Sequence, residues 1–144
     1  MQLRTLLENQ NFVRIPLKSL ATGHYKLVAK INGKKGDFIL DTGASTSCIG
    51  FESSHAFLLH SEESDIKAAG AGAIDMETRI THNNTLEIGK KRIKNTSFVL
   101  FDLQHVNAAL KQTKEASIDG IIGADILKSC RATIDYGRNC LYLK

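Results

Sequence analysis

Residues 38–45 read Phe38-Ile39-Leu40-Asp41-Thr42-Gly43-Ala44-Ser45. Three bulky apolar residues run into an acid and then into a turn-forming, small-residue segment, which is the pattern of a buried strand ending in a tight polar loop. The stretch therefore predicts a strand that carries Asp41 at its end. The Gly43 amide and the Ser45 hydroxyl are then near enough to donate to its carboxylate. As an isolated tripeptide, Asp-Thr-Gly also serves as an ordinary turn, so the surrounding sequence must decide.

Upstream, residues 12–17 (FVRIPL) alternate apolar and polar, and residues 25–31 (YKLVAKI) lead into Asn32-Gly33. Asn-Gly is the strongest short signal for a hairpin, because both residues accept positive φ. The reading is a hairpin with GKKG at its tip and DFILD as the returning strand. Downstream, residues 51–65 fit either a short helix capped by Ser53 or Ser54 or an irregular loop. The segment AAGAGAIDMETRITH then reads as a small-residue tip followed by a strand, and NTLEIGKKRIKNTSFVLFDL as a second hairpin turning at Gly89. Residues 104–117 are polar and tolerate helix, as a surface connection would.

A second informative stretch, DGIIGADIL, spans residues 119–127. Two apolar residues followed by glycine can pass a strand behind the aspartate loop and let the backbone approach closely at Gly123. By itself this is only a buried strand running into a short helix. Asp125 is expected to cap that helix, from Ile126 to about Cys130. Two short β-runs around Tyr136-Gly137-Arg138-Asn139 close the chain.

The chain has 144 residues, 42% of them hydrophobic and 24% charged. That is enough to bury one core, and a single domain over residues 1–144 with an N-terminal extension at 1–11 is expected. The formal charge of +4 comes largely from Lys34, Lys35, Lys90, Lys91, Arg92 and Lys94 beside turn glycines. No aromatic residues are interleaved with these cations for base stacking, so they read as solvated hairpin tips and no nucleic-acid partner is expected. Neither a secretory leader nor a membrane-length apolar run is visible. Cys48, Cys130 and Cys140 are an odd set without CxxC spacing, which suits a reducing compartment, so a cytoplasmic location is expected. His24, His55, His60, His82 and His105 are scattered without ligand spacing, and neither a metal nor a cofactor is expected.

Taken together, FILDTGAS and DGIIGADIL, in this order and about eighty residues apart, resemble the retropepsin-like aspartic proteases over roughly residues 12–144. The resemblance implies an all-β fold, a closed barrel or sandwich with a flap hairpin and one short C-terminal helix, acting as a homodimer. It implies that Asp41 is the catalytic acid, that the Thr42 hydroxyl bonds across the dimer, and that Gly43 and Ser45 orient the carboxylate. Ala44, Ser45, Ile122 and Gly123 would border the substrate, and Gly70, Ala71, Gly72 and Ala73 occupy the interval of the flap. The sequence departs from the retroviral pattern at Ala124-Asp125, where an arginine usually follows the glycine. It also continues past the helix with ATIDYGRNCLYLK, so its terminal strands need not be arranged as in the retroviral enzymes.

Hydrolysis of an amide by carboxylates needs two of them sharing a proton, one taking a proton from water while the other donates to the carbonyl. No second Asp-Thr-Gly or Asp-Ser-Gly occurs in the chain. A twofold axis beside Asp41 would supply the missing acid, which points to a homodimeric endopeptidase acting on an extended peptide or protein substrate. The competing reading is a non-catalytic peptide-binding or dimerisation module on the same fold.

Overall fold

The structure is a computed structural model and describes residues 1–63, 68–70 and 73–144. Helix α1 (Leu3–Asn9) precedes strands β1 (Val13–Pro16), β2 (Lys18–Ser19), β3 (Tyr25–Ile31), β4 (Lys34–Leu40) and β5 (Cys48–Gly50). A single 3-10 turn (Phe51–Ser53) leads to β6 (Ser61–Glu63), β7 (Ala68–Gly70), β8 (Ala73–Met76), β9 (Arg79–Ile88) and β10 (Lys91–Phe101). Helix α2 (Gln104–Gln112), β11 (Gly120–Ile122), helix α3 (Ala124–Ser129), β12 (Thr133–Asp135) and β13 (Cys140–Leu143) complete the described elements.

The Asn32-Gly33 signal is realised directly. Both residues have positive φ, 52° and 81°, and Ile31 pairs with Lys34 across them. The tip is thus the two-residue Asn-Gly turn, tighter than the GKKG tip expected, because Lys34 and Lys35 already lie in β4. The second hairpin closes in the same way around Gly89, whose φ is 57°, with Ile88 opposite Lys91.

An eight-stranded sheet runs in the order β2-β3-β4-β11-β5-β10-β9-β6, and β3 also pairs with β9. That extra pairing closes β3, β4, β11, β5, β10 and β9 into a six-stranded barrel. Its interior holds Leu27, Ile31, Phe38, Ile49, Leu86, Phe98 and Ile122, all at most 2% exposed. These come from alternate positions of each strand, as the two-residue period of a strand requires.

Inside this barrel β11 is inserted between β4 and β5, parallel to the first and antiparallel to the second. A strand threaded so tightly needs a small residue, and Gly120 provides it. A Cβ there would lie 2.3 Å from the Cys48 carbonyl oxygen and 2.9 Å from the Phe38 ring.

Two features differ from expectation. Besides α3, where one C-terminal helix was expected, α1 and α2 are helical. Leu110 of α2 is buried with Leu103, Val106 and Ile118 in a second apolar cluster outside the barrel, over Ile39, Cys48, Val99 and Phe101. Val106 and Leu110, four residues apart, give this helix its apolar stripe. Secondly, β1, for which the sequence named no partner, pairs with β13 in a three-stranded sheet of order β1-β13-β12. Leu141 and Leu143 of β13 join the barrel core, while Cys140 and Tyr142 point the other way onto Leu7 of α1 and Phe12.

Replacing Gly120 by Ala is expected to cost about 2–3 kcal/mol, the usual toll of forcing atoms into a closed core. Urea denaturation measures it, and an unshifted midpoint would contradict the tight threading of β11.

Candidate active site

Asp41 sits one residue beyond β4, partly exposed, and its position is set by β11. Its amide donates to the Ile122 carbonyl oxygen at 3.0 Å, extending the parallel β4–β11 ladder by one rung. The chain then turns sharply: the Ala44 amide donates to the Asp41 carbonyl oxygen at 3.2 Å, and the Gly43 amide donates to Asp41 Oδ1 at 2.9 Å. The expected orienting contact from Gly43 is therefore present. A carboxylate held by a backbone N–H is fixed in direction without a further side chain.

The Ser45 hydroxyl, expected to donate to Asp41, makes no such bond. Ser45 is exposed, and the inward serine of the loop is Ser47, which is fully buried. Ser47 Oγ donates to Asp125 Oδ1 at 2.6 Å, and the Ser47 amide lies 3.0 Å from both carboxylate oxygens of Asp125. In turn the Gly123 amide donates to Ser47 Oγ at 2.8 Å, and the Ala124 amide donates to the Ala44 carbonyl oxygen at 2.7 Å.

This stitching corrects two expectations. Asp125 is not the residue before its helix but lies in its first turn, where it accepts from the Ile126 amide at 2.8 Å and also holds the aspartate loop. Ile122, expected to border the substrate, is fully buried in the barrel core. It acts on the site only through its carbonyl oxygen.

Gly123 permits the close approach foreseen for it. A Cβ there would lie 2.5 Å from the Ala44 carbonyl oxygen, so the loop and the start of α3 could not meet over any larger residue. Thr42, Gly43 and Ser45 are exposed, and Ala44 is partly so. In the flap interval, β7 pairs antiparallel with β8, Gly70 opposite Ala73, while Ala71 and Gly72 lie outside the described residues. Thr42 lines a groove of about 470 Å³ with Ala124, Leu127, Arg131 and Ile134.

Behind the loop, Cys48 is 5% exposed. Burial, with the Asp41 and Asp125 carboxylates nearby as smaller contributors, pushes its thiol up to about 12, against a partly offsetting bond to the Ile121 backbone. The residue is therefore packing, as a small buried thiol usually is.

The model of the family described as "Aspartyl protease" matches residues 27–126 of the sequence. The chain belongs to the aspartyl protease family. No curated protein matches its sequence. Among solved structures, it is similar to a retropepsin-like aspartic protease from Rickettsia conorii, with a TM-score of 0.60 and 19% identity over 92% of this chain and 91% of that one. It is also similar to the EIAV protease complexed with the inhibitor HBY-793, with a TM-score of 0.55 and 21% identity over 76% of this chain and 90% of the other. A third likeness is to the retroviral protease-like domain of Ddi1 from Leishmania major, with a TM-score of 0.54 and 20% identity over 83% and 86% of the two chains. At these identities the likeness establishes the fold, which is retropepsin-like.

Two outcomes follow from the loop's construction. Asp125→Ala leaves the buried Ser47 hydroxyl and amide without their acceptor and is expected to cost about 1–3 kcal/mol, read by chemical denaturation. Cys48 carries the pH-dependent effect. Its folded pKa is raised, so the unfolded thiol loses its proton first. The resulting loss of stability begins near the thiol's ordinary value of 9.0 and continues to about pH 12. Cys48→Ala should therefore lose less stability than the wild type between pH 8 and pH 10, and an identical decline in both would remove this assignment.

Proposed function

We propose that the chain is an aspartic endopeptidase in which Asp41 of two copies, related by a twofold axis, activates one water between them. The observation that carries this reading is the Asp41 carboxylate itself. It lies at the open end of a barrel strand, held by the Gly43 amide at 2.9 Å, and the chain holds only one Asp-Thr-Gly. Neither the cavity beside Gly50, Asp102 and Asn107 nor that between β1 and β3 includes Asp41. Half of a site on an open surface is what a shared site requires of each contributor.

The chemistry follows from placing two carboxylates together. Like charges in one site do not both ionise readily, so the pair shares a proton and titrates as a unit. The ionised member takes a proton from water and the protonated member donates to the peptide carbonyl, which becomes a tetrahedral diol. In its collapse the carboxyl that took the water's proton gives it to the nitrogen, the other takes a proton from the diol, and the amine leaves with no covalent enzyme intermediate. A substrate lying extended over the loops would be bordered by Ala44, Ser45 and the β7–β8 ribbon and would bond as an added strand.

The surface beside the loop supports the pairing. Thr42 is exposed next to the apolar groove formed by Ala124, Leu127 and Ile134, where a second copy's loop can seat and the Thr42 hydroxyls can bond across the axis. Family membership supports the reaction class.

Peptide hydrolysis at mildly acidic pH by wild type and by Asp41→Asn tests the proposal. The variant keeps the shape of the loop and loses the shared proton, so the rate should fall by about a thousandfold or more, in the range seen when a member of a catalytic constellation is removed. Equal activity in both would point to a contaminant, and binding of peptides without hydrolysis would favour the non-catalytic module. Sedimentation with a peptide-like inhibitor should show a dimer. A strictly monomeric inhibited species would remove the shared site.

A further inference from the structure

One rung of the β3 ladder is empty. The backbone of Asp37, opposite Val28, is turned toward Asp119: the Asp119 amide donates to the Asp37 carbonyl oxygen at 2.8 Å, and the Asp37 amide donates to Asp119 Oδ2 at 2.9 Å. Val28 and Asp37 are therefore a non-hydrogen-bonded antiparallel pair, and the amide and carbonyl of Val28 face away from β4. On that outer side Lys26 is met by Lys18 of β2 and Lys30 by Glu87 of β9. Among the described residues, nothing pairs with Val28 between them.

The gap opens into a cavity of about 650 Å³ between β3 and the residues of β1 and β2. Its size is in the range that takes small ligands. Two sides of it differ in character. Ile15 and Leu17, both buried, contribute an apolar floor, while Lys18, Lys26 and Lys30 bracket the mouth. Lys18 and Lys26 stand directly opposite each other, and like charges in that arrangement repel. Arg14 also lines the cavity, with its Nε buried and its side chain beside the Tyr142 hydroxyl. Against these four cations stand the acids Asp37 and Glu87.

We propose that this slot is a second peptide-binding site, distinct from the Asp41 loop, taking an extended apolar–acidic–apolar segment of another protein as an added strand. The acidic residue sits opposite Val28, donating its N–H to the Val28 carbonyl oxygen and accepting from the Val28 amide. Its side chain then shares the outer face with Val28, which is 45% exposed, and lies diagonal to Lys26 and Lys30, within reach of a long side chain. The residues on either side point inward, onto Ile15 and Leu17. From Lys26 to Lys30 the window spans about 13 Å of strand, so the segment fits for about three residues before β2 and β9 force it out. Backbone bonds supply affinity and the cations supply selection, the usual division in strand addition.

The test uses the full chain carrying Asp41→Asn, so that no probe is cut and the outcome does not depend on the peptidase reading. Acetyl-Gly-Val-Glu-Val-Gly-amide is titrated into the ¹⁵N-labelled protein while the Val28 amide is followed. Expected is a saturable shift at Val28 and its neighbours. A probe N-methylated at its Glu, and a probe with Lys in place of that Glu, should each bind about tenfold or more weakly, since each loses a directed bond or a charge pairing. Lys26→Glu, which also relieves the Lys18–Lys26 repulsion, should weaken the Glu probe to a similar degree while the spectrum reports an intact fold. A Val28 amide unmoved at millimolar probe, equal binding of the N-methylated probe, or a shift confined to the Asp41 loop would each overturn the proposal.

Discussion

The hydrogen bond from the Asp41 amide to the Ile122 carbonyl oxygen, 3.0 Å long, is the contact on which the rest of the site depends. It is the last rung of a parallel ladder between β4 and β11, and β11 has no freedom of its own because β5 holds its other edge. A strand end is prone to fray, since nothing beyond its final residue is paired. Here the end of β4 is gripped by a strand that the barrel core anchors through Ile122, so the acid inherits the rigidity of the interior.

Holding the base of the loop is not enough, because six residues separate Asp41 from β5. Ser47 and Asp125 close that span. The fully buried Ser47 receives the Gly123 amide on its hydroxyl and gives its own proton to Asp125, so loop, strand and helix meet at one side chain. Polar networks of this kind specify a single arrangement only when every member is satisfied. Gly123 is the steric counterpart, because the Ala44–Ala124 backbone bond needs the two segments at a separation that no Cβ allows. The outcome is a loop whose conformation is fixed from behind and whose exposed residues, Thr42, Gly43 and Ser45, are left for whatever approaches from outside.

Much of this architecture was legible in the sequence, and the pattern of success is physical. Hairpins were readable where a local rule operates, as at Asn32-Gly33, whose two positive φ angles few dipeptides accept. Asp41 was readable because a strand ending in Asp-Thr-Gly is a local arrangement too, and the strand over Ile121-Ile122 because its apolar run is bounded by glycines. What escaped involves partners far apart in the chain. Asp125 looked like a helix cap because its local context permits that, and nothing nearby signals Ser47, 78 residues away. Ser45 was read as a donor for its closeness to the acid, and nothing local singled out Ser47. Which serine turns inward depends on where the loop rejoins β5. The pairing of β1 with β13 escaped for the same reason, since alternation states that a segment is a strand and not which strand it meets.

That last pairing bears on the dimer proposed above. β13 is bonded on both sides, to β1 and to β12, so both of its edges are filled within one chain and it has none to lend to a neighbour. Among the described residues the free edges of this small sheet are β1 and β12, and they differ in position. Ile134 of β12 shares the groove beside the aspartate loop with Thr42, whereas Pro16 of β1 lacks an N–H and blunts pairing along that strand. The twofold contact proposed above, which brings Asp41 to its mate, would therefore meet β12, α3 and Thr42 together. Its apolar centre is Leu127 and Ile134, and Lys128 and Arg131 line the same groove. Cations brought near their own symmetry mates repel, and salt screens that repulsion. In the proposed dimer, the loop chemistry and the strength of association would thus rest on different residues of one face.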